Sequence, residues 1–148
     1  MTSLPRTKSS VALSDEYATA NRARWILVCA TLSGAITVIL GAFAAHGLKA
    51  QLSPYLLDVF KTGVQYQGLH SVALIGCGLW ARILPSKAVS YAALFFGAGI
   101  VCFSGSLYAL ALTGIKWFGP ITPLGGFCFI FGWVALTVAA WRSAEGSK

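Results

Sequence analysis

The chain has 148 residues, of which 57% are hydrophobic and 10% charged, with a mean hydropathy of +0.74. An average soluble domain carries about a quarter of its residues as charges, so this composition excludes a water-soluble globule of this size. The net charge of +7 is spread along the flanks of apolar runs rather than gathered on one patch, which argues against a nucleic-acid surface and reads as a topology signal.

Residues 1–22 are rich in Ser, Thr and charge, show no apolar period, and are predicted to be a mobile cytoplasmic tail. The first apolar run, 25–45, follows Arg22 and Arg24. It exceeds the ~7–15 residues of a signal-peptide core and is read as a retained helix. Ala30, Gly34, Thr37, Gly41 and Ala45 recur every three or four residues along it. Such a small-residue face marks the packing side of a membrane helix.

After His46 and Gly47, the pair Ser53–Pro54 gives a helix start: the hydroxyl caps and the proline occupies the first helical position. Leu56, Val59, Phe60 and Gly63 share a face opposite Asp58, Lys61 and Thr62. The expectation is a short amphipathic helix in the first outer loop or an extension of the second span. The exposed Asp58 is expected to pair with Lys61 or Lys49.

The second apolar run, 64–84, opens with Gln65, Tyr66, Gln67, His70 and Ser71, which are costly in lipid and should face protein. Pro85, Ser86 and Lys87 make an inner turn. The third run, 88–112, carries Gly97, Gly99, Ser104, Gly105 and Ser106, with Tyr108 near its outer boundary and Gly114 as its predicted stop. Thr122–Pro123 repeats the Ser53–Pro54 device ahead of a fourth run, 121–141, which ends at Trp141.

Each run matches the ~20 residues needed to cross a hydrocarbon core of ~30 Å, and helices are the required choice because lipid offers no partners for open backbone groups. The predicted fold is therefore an all-α integral membrane bundle of four transmembrane helices. The domain spans 23–142, with tails at 1–22 and 143–148. Counting Arg6, Lys8, Arg22, Arg24, Arg82, Lys87, Arg142 and Lys148 on one side against Lys49, Lys61 and Lys116 on the other predicts both termini in the cytoplasm.

Three segments in order, GAFAAHGLK at 41–49, FKTGVQYQGLH at 60–70 and FSGSLYALALTGIKWFGPITPLGGFCFIFGW at 103–133, make the chain resemble a family. It comprises the small bacterial inner-membrane proteins grouped with YgdD, together with eukaryotic transmembrane protein 256. The chain departs from it at Ala44, where the family usually has Gly, and at Gly68 and Leu69, where larger residues are common. The resemblance implies a four-helix protein of the bacterial inner membrane and supplies no reaction, ligand or catalytic residue.

The candidate functional cluster consists of His46, Gln65, Tyr66, Gln67, His70, Ser106 and Tyr108. Three readings stand beside one another. The preferred one is a non-enzymatic structural or accessory component, packing through its Gly, Ala and Ser faces with itself or with a larger membrane complex. The second is a small-solute or proton channel or transporter acting as an oligomer through a polar vestibule; against it, no acid lies within a span. The third is haem or metal binding through His46 and His70; against it, the two lie at different depths and lack further donors. Cys29, Cys77, Cys102 and Cys128 fall one to a run and read as packing residues. No catalytic residue, metal site or cofactor is expected, and the expected partners are the lipid bilayer and other membrane proteins.

Overall fold

A computed structural model describes residues 10–145. The described chain is wholly helical apart from its turns. Helix α1 spans Ser10–Phe43 and runs on through a π-helical turn at Ala44–Leu48. Helix α2 spans Pro54–Ile83. Helices α3 (Lys87–Gly99) and α4 (Gly105–Thr113) are joined by a second π turn, Ile100–Ser104, into one rod. A single 3-10 turn at Lys116–Phe118 leads to α5 (Ile121–Glu145).

The boundaries follow local chemistry. Ser53 Oγ accepts a hydrogen bond from the Leu56 N–H at 3.3 Å with Pro54 next in line, so the predicted start signal operates. Ser86 Oγ accepts from the Ala88 N–H at 3.2 Å and starts α3. Gly114 adopts φ +70°, the left-handed conformation that closes a helix and that glycine takes without a steric penalty. It ends α4 where the sequence predicts.

Helix α2 lies at the centre. It packs on α1 along one side and on α3, α4 and the second π turn along the other, while α5 packs mainly on α3 and that π turn. Helices approach closely at glycines. A Cβ on Gly78 would stand 2.6 Å from Leu27, one on Gly63 would stand 2.7 Å from the Tyr108 ring, and one on Gly125 would meet the Phe103 backbone. Gly99 faces the Phe129 ring and Gly132 faces the Phe96 ring, a reciprocal exchange that brings α3 and α5 together.

Two apolar clusters fill the bundle. One joins Ala23, Ala30, Leu74, Cys77, Val89, Phe96 and Phe129. The other joins Ala44, Leu48, Leu57, Phe60 and Ala111. The outer surface is apolar as well: Val38, Leu69, Val72, Leu94, Val101 and Leu124 are all exposed. Such faces are suited to lipid, because a soluble monomer rarely carries contiguous apolar surface of this extent.

Three helical stretches, at 13–48, 87–113 and 116–143, are long and apolar enough to cross a membrane. Helix α2 is also long, with 30 residues, but Asp58, Lys61, Gln65, Gln67, His70 and Arg82 keep it out of that group. Gln67 and His70 are buried against the other helices, while Asp58, Lys61 and Arg82 lie exposed toward the two ends of α2.

Three expectations are corrected. Of the two alternatives for the segment after Pro54, the separate helix in the first outer loop is not formed and the extension of the second span is, as the first turns of α2. Nothing breaks the helix there, since Gly63, the one weak point, is buried against Tyr108. The stretch from Ser10 to Arg22, predicted as mobile tail, is helical and continuous with α1, supported by the helix formers Leu13, Glu16, Ala18 and Ala20; residues 1–9 and 146–148 of the predicted tails lie outside the described residues. The packing face of α1 continues on buried Ala44 and Leu48 rather than on Ala45, which is exposed, because the alternating four- and three-residue spacing from Ala30 through Gly41 falls next on Ala44.

Candidate functional site

Along α1, α2 and the α3–α4 rod the polar residues of the interior fall between the two apolar clusters. On α2 they are Gln67, His70 and Ser71, with Phe60 before and Leu74 after. On α1 the corresponding residue is Ser33, and on the third rod they are Ser104, Ser106 and Tyr108. The result is a polar layer across the bundle.

Gln67, 5% exposed, is its hub. Its Oε1 accepts from the Tyr108 hydroxyl of α4 at 2.8 Å, and its Nε2 donates to the Ser33 carbonyl oxygen of α1 at 3.1 Å. Ser33 Oγ lies 3.4 Å from the same Nε2 and 2.7 Å from Ser71 Oγ, which stands 2.7 Å from the Gln67 carbonyl oxygen. Ser71 Oγ is the donor toward both Ser33 Oγ and the Gln67 carbonyl oxygen, its one proton shared between the two acceptors. One side chain thereby ties three rods, and each of its polar atoms is satisfied.

His70, 2% exposed, forms a second node. Its Nδ1–H donates to the Tyr66 carbonyl oxygen at 2.8 Å, since a carbonyl only accepts. That leaves Nε2 to accept from the Trp133 indole N–H of α5 at 3.3 Å. The ring stacks on Phe129 with centroids 3.5 Å apart and planes 8° from parallel. Tyr66, on the surface of α2, extends the stack toward Phe103, 4.5 Å away. Ser106 Oγ and Thr122 Oγ1 lie 2.8 Å apart and link α4 to α5. Thr122 is thus an interhelical partner inside α5, not the cap its position before Pro123 predicts.

Of the predicted cluster, Tyr66, Gln67, His70, Ser106 and Tyr108 come together. Gln65 does not: two positions from Gln67 on a helix points it away, and it is exposed. His46 is exposed in the first π turn, 13 residues past Ser33 on α1, or about 20 Å along the axis. The two histidines therefore share no site, and both His70 nitrogens are engaged within the bundle. Among the described residues no three His, Cys, Asp or Glu side chains gather as metal ligands, and the four cysteines are free thiols.

Ser33, Thr122, Phe129 and Trp133 belong to the layer without having been predicted. Each is unremarkable in a one-dimensional pattern, and only the helix pairing gives it a partner. Ser104 is the exception within the layer. Its Oγ is fully buried with no hydrogen-bond partner among the described residues.

Residues 40–126 match the family described as "Protein of unknown function (DUF423)". That segment holds the layer's α2, α4 and Thr122 residues and leaves out Ser33. The chain is 42% identical over 115 residues to the UPF0382 membrane protein YwdK of Bacillus subtilis, covering 77% of this chain and 94% of that one. It is 41% identical over 118 residues to a UPF0382 membrane protein of Staphylococcus aureus, covering 80% and 96%. It is 37% identical over 119 residues to the UPF0382 inner membrane protein YgdD of Escherichia coli, covering 80% and 91%. No solved structure matches it. A match of this length and identity, with the bundle built as membrane helices are built, makes the chain a member of the DUF423 family of membrane proteins.

Proposed function

We propose that this protein is a four-span inner-membrane protein with both termini in the cytoplasm, and that it serves as a non-enzymatic structural or accessory component, packing with itself or with a larger membrane complex. The observation that carries this reading is the closure of the polar layer. Gln67, His70, Ser71, Ser106 and Tyr108 direct their polar atoms at one another and at neighbouring backbone, so they fasten helices and leave no row of free donors and acceptors for a moving solute. A transporter places ionisable groups where substrate or protons pass, and the acids of the described chain lie at Asp15, Glu16, Asp58 and Glu145, outside the four apolar runs. For haem or metal, the separation of His46 from His70 and the use of both His70 nitrogens weigh against a shared centre.

The α1 surface supports the accessory reading further. Its large side chains Val28, Leu32, Ile36, Val38, Ile39 and Phe43 are exposed, and the helix packs chiefly on α2. Cross-linking in native membranes followed by extraction in mild detergent tests the proposal. A discrete stoichiometric assembly, homo-oligomeric or mixed, is expected. A species that remains a monomer throughout, or solute flux in liposomes that Gln67→Leu abolishes while the fold survives, would contradict it.

A further inference from the structure

We infer that the groove between α1 and α3 is a binding site for one anionic phospholipid. Its walls are Trp25, Ile26 and Cys29 of α1 and Leu94 and Gly97 of α3, with Leu74 of α2 between them. It encloses about 760 Å³. The exposure of Trp25 and Leu94 shows that it opens sideways, toward the acyl region. From Ser90 to Cys102 it follows 12 residues of the third rod, about 18 Å at ~1.5 Å each. That is close to the depth of one leaflet, half of a hydrocarbon core of ~30 Å.

The charge at its end selects the occupant. Arg22 and Ser90 line the groove's mouth, 3.5 Å apart, and the same two residues line an adjoining hollow of about 190 Å³ with Thr19, Ser86 and Lys87. This hollow contains two cations, three hydroxyls and no acid. Asp15 and Glu16 line the next hollow, beside Arg82. Apolar walls one leaflet deep, ending in guanidinium, ammonium and hydroxyl groups, match an acyl chain joined to a phosphate. A second copy's helix would fill the walls but leave the cationic hollow without a counterion. The inference rests on the membrane setting and not on the accessory role, so the two fail independently.

Native mass spectrometry of the detergent-purified full chain tests it, with phosphatidylglycerol and phosphatidylcholine of identical acyl chains and glycerol phosphate as probes. The expected result is one retained phosphatidylglycerol, preferred over phosphatidylcholine by up to about twenty-five-fold, since each of the two interfacial cations contributes roughly a factor of five. Arg22→Gln with Lys87→Gln, both at exposed positions, should abolish the preference. Gly97→Phe, in the open groove, should reduce retention of both lipids. Equal retention of the two lipids by the wild type would overturn the proposal. So would retention unchanged by Gly97→Phe, full competition by glycerol phosphate alone, or a lipid-free dimer that Gly97→Phe dissociates. The lipid comparison on the wild type decides even if a variant fails to fold.

Discussion

The side chains that matter here are polar ones whose bonds are already made. Gln67→Leu removes links to α1 and α4 together and strands the Tyr108 hydroxyl. Interhelical hydrogen bonds in membranes average ~0.6 kcal/mol, and an orphaned buried group adds ~1–3 kcal/mol. The variant should therefore lose about 1–3 kcal/mol in detergent unfolding, and Tyr108→Phe less than half of that. His70→Ala opens a cavity against Phe129 and frees the Trp133 N–H, at a cost of about 2–4 kcal/mol. His70→Phe keeps the stacked ring and should recover most of the loss; equal damage from both would point to a role for the nitrogens beyond packing. Ser104→Ala deletes a buried hydroxyl that has no partner among the described residues and should leave stability unchanged or raise it by up to about 1 kcal/mol. A clear loss would show that the hydroxyl has a partner outside this chain. The sequence marks Gln67, His70 and Tyr108 because polar residues in apolar runs are conspicuous. It is silent on Ser33 and Trp133, whose roles exist only once α1 and α5 are laid against α2.

At the scale of elements, the legible features are those governed by local chemistry. Ser53 with Pro54 and Gly114 act where they stand in the sequence because capping depends on a few neighbouring backbone groups. Thr122–Pro123 has the same lettering and a different outcome, since the nearby Ser106 hydroxyl offers Thr122 a partner 2.8 Å away. The continuity of α2 through Gly63 and the π turns at Ala44–Leu48 and Ile100–Ser104 depend on packing between rods, which periodicity does not record. Close approach makes its own prediction. Gly125→Ala places a methyl on the Phe103 backbone, which has no flexible end to yield, and should cost about 1–3 kcal/mol. Gly34→Ala and Gly76→Ala, where a Cβ meets nothing within 4 Å, should be neutral or slightly stabilising in the same unfolding measurement.

For the whole molecule, a polar strip of α2 buried against three apolar rods explains why composition alone points to a membrane while one predicted span is hard to recognise by hydropathy. The outer faces of all the helices are apolar, including Leu69, Val72 and Leu79 of α2, whereas Gln67 and His70 of α2 are buried against protein and so cost little. The proposed four-span reading bears on the same point, because it is the reading in which Lys and Arg gather beside one set of helix ends. The parity of crossings is thus the central claim, and reporters fused in intact cells after Lys148, before Met1 and within the Lys49–Ser53 turn measure it directly. The account predicts cytoplasmic signals from both ends and an extracytoplasmic signal from the turn. Termini on opposite faces of the membrane would mean that α2 does not span it, and would contradict the account.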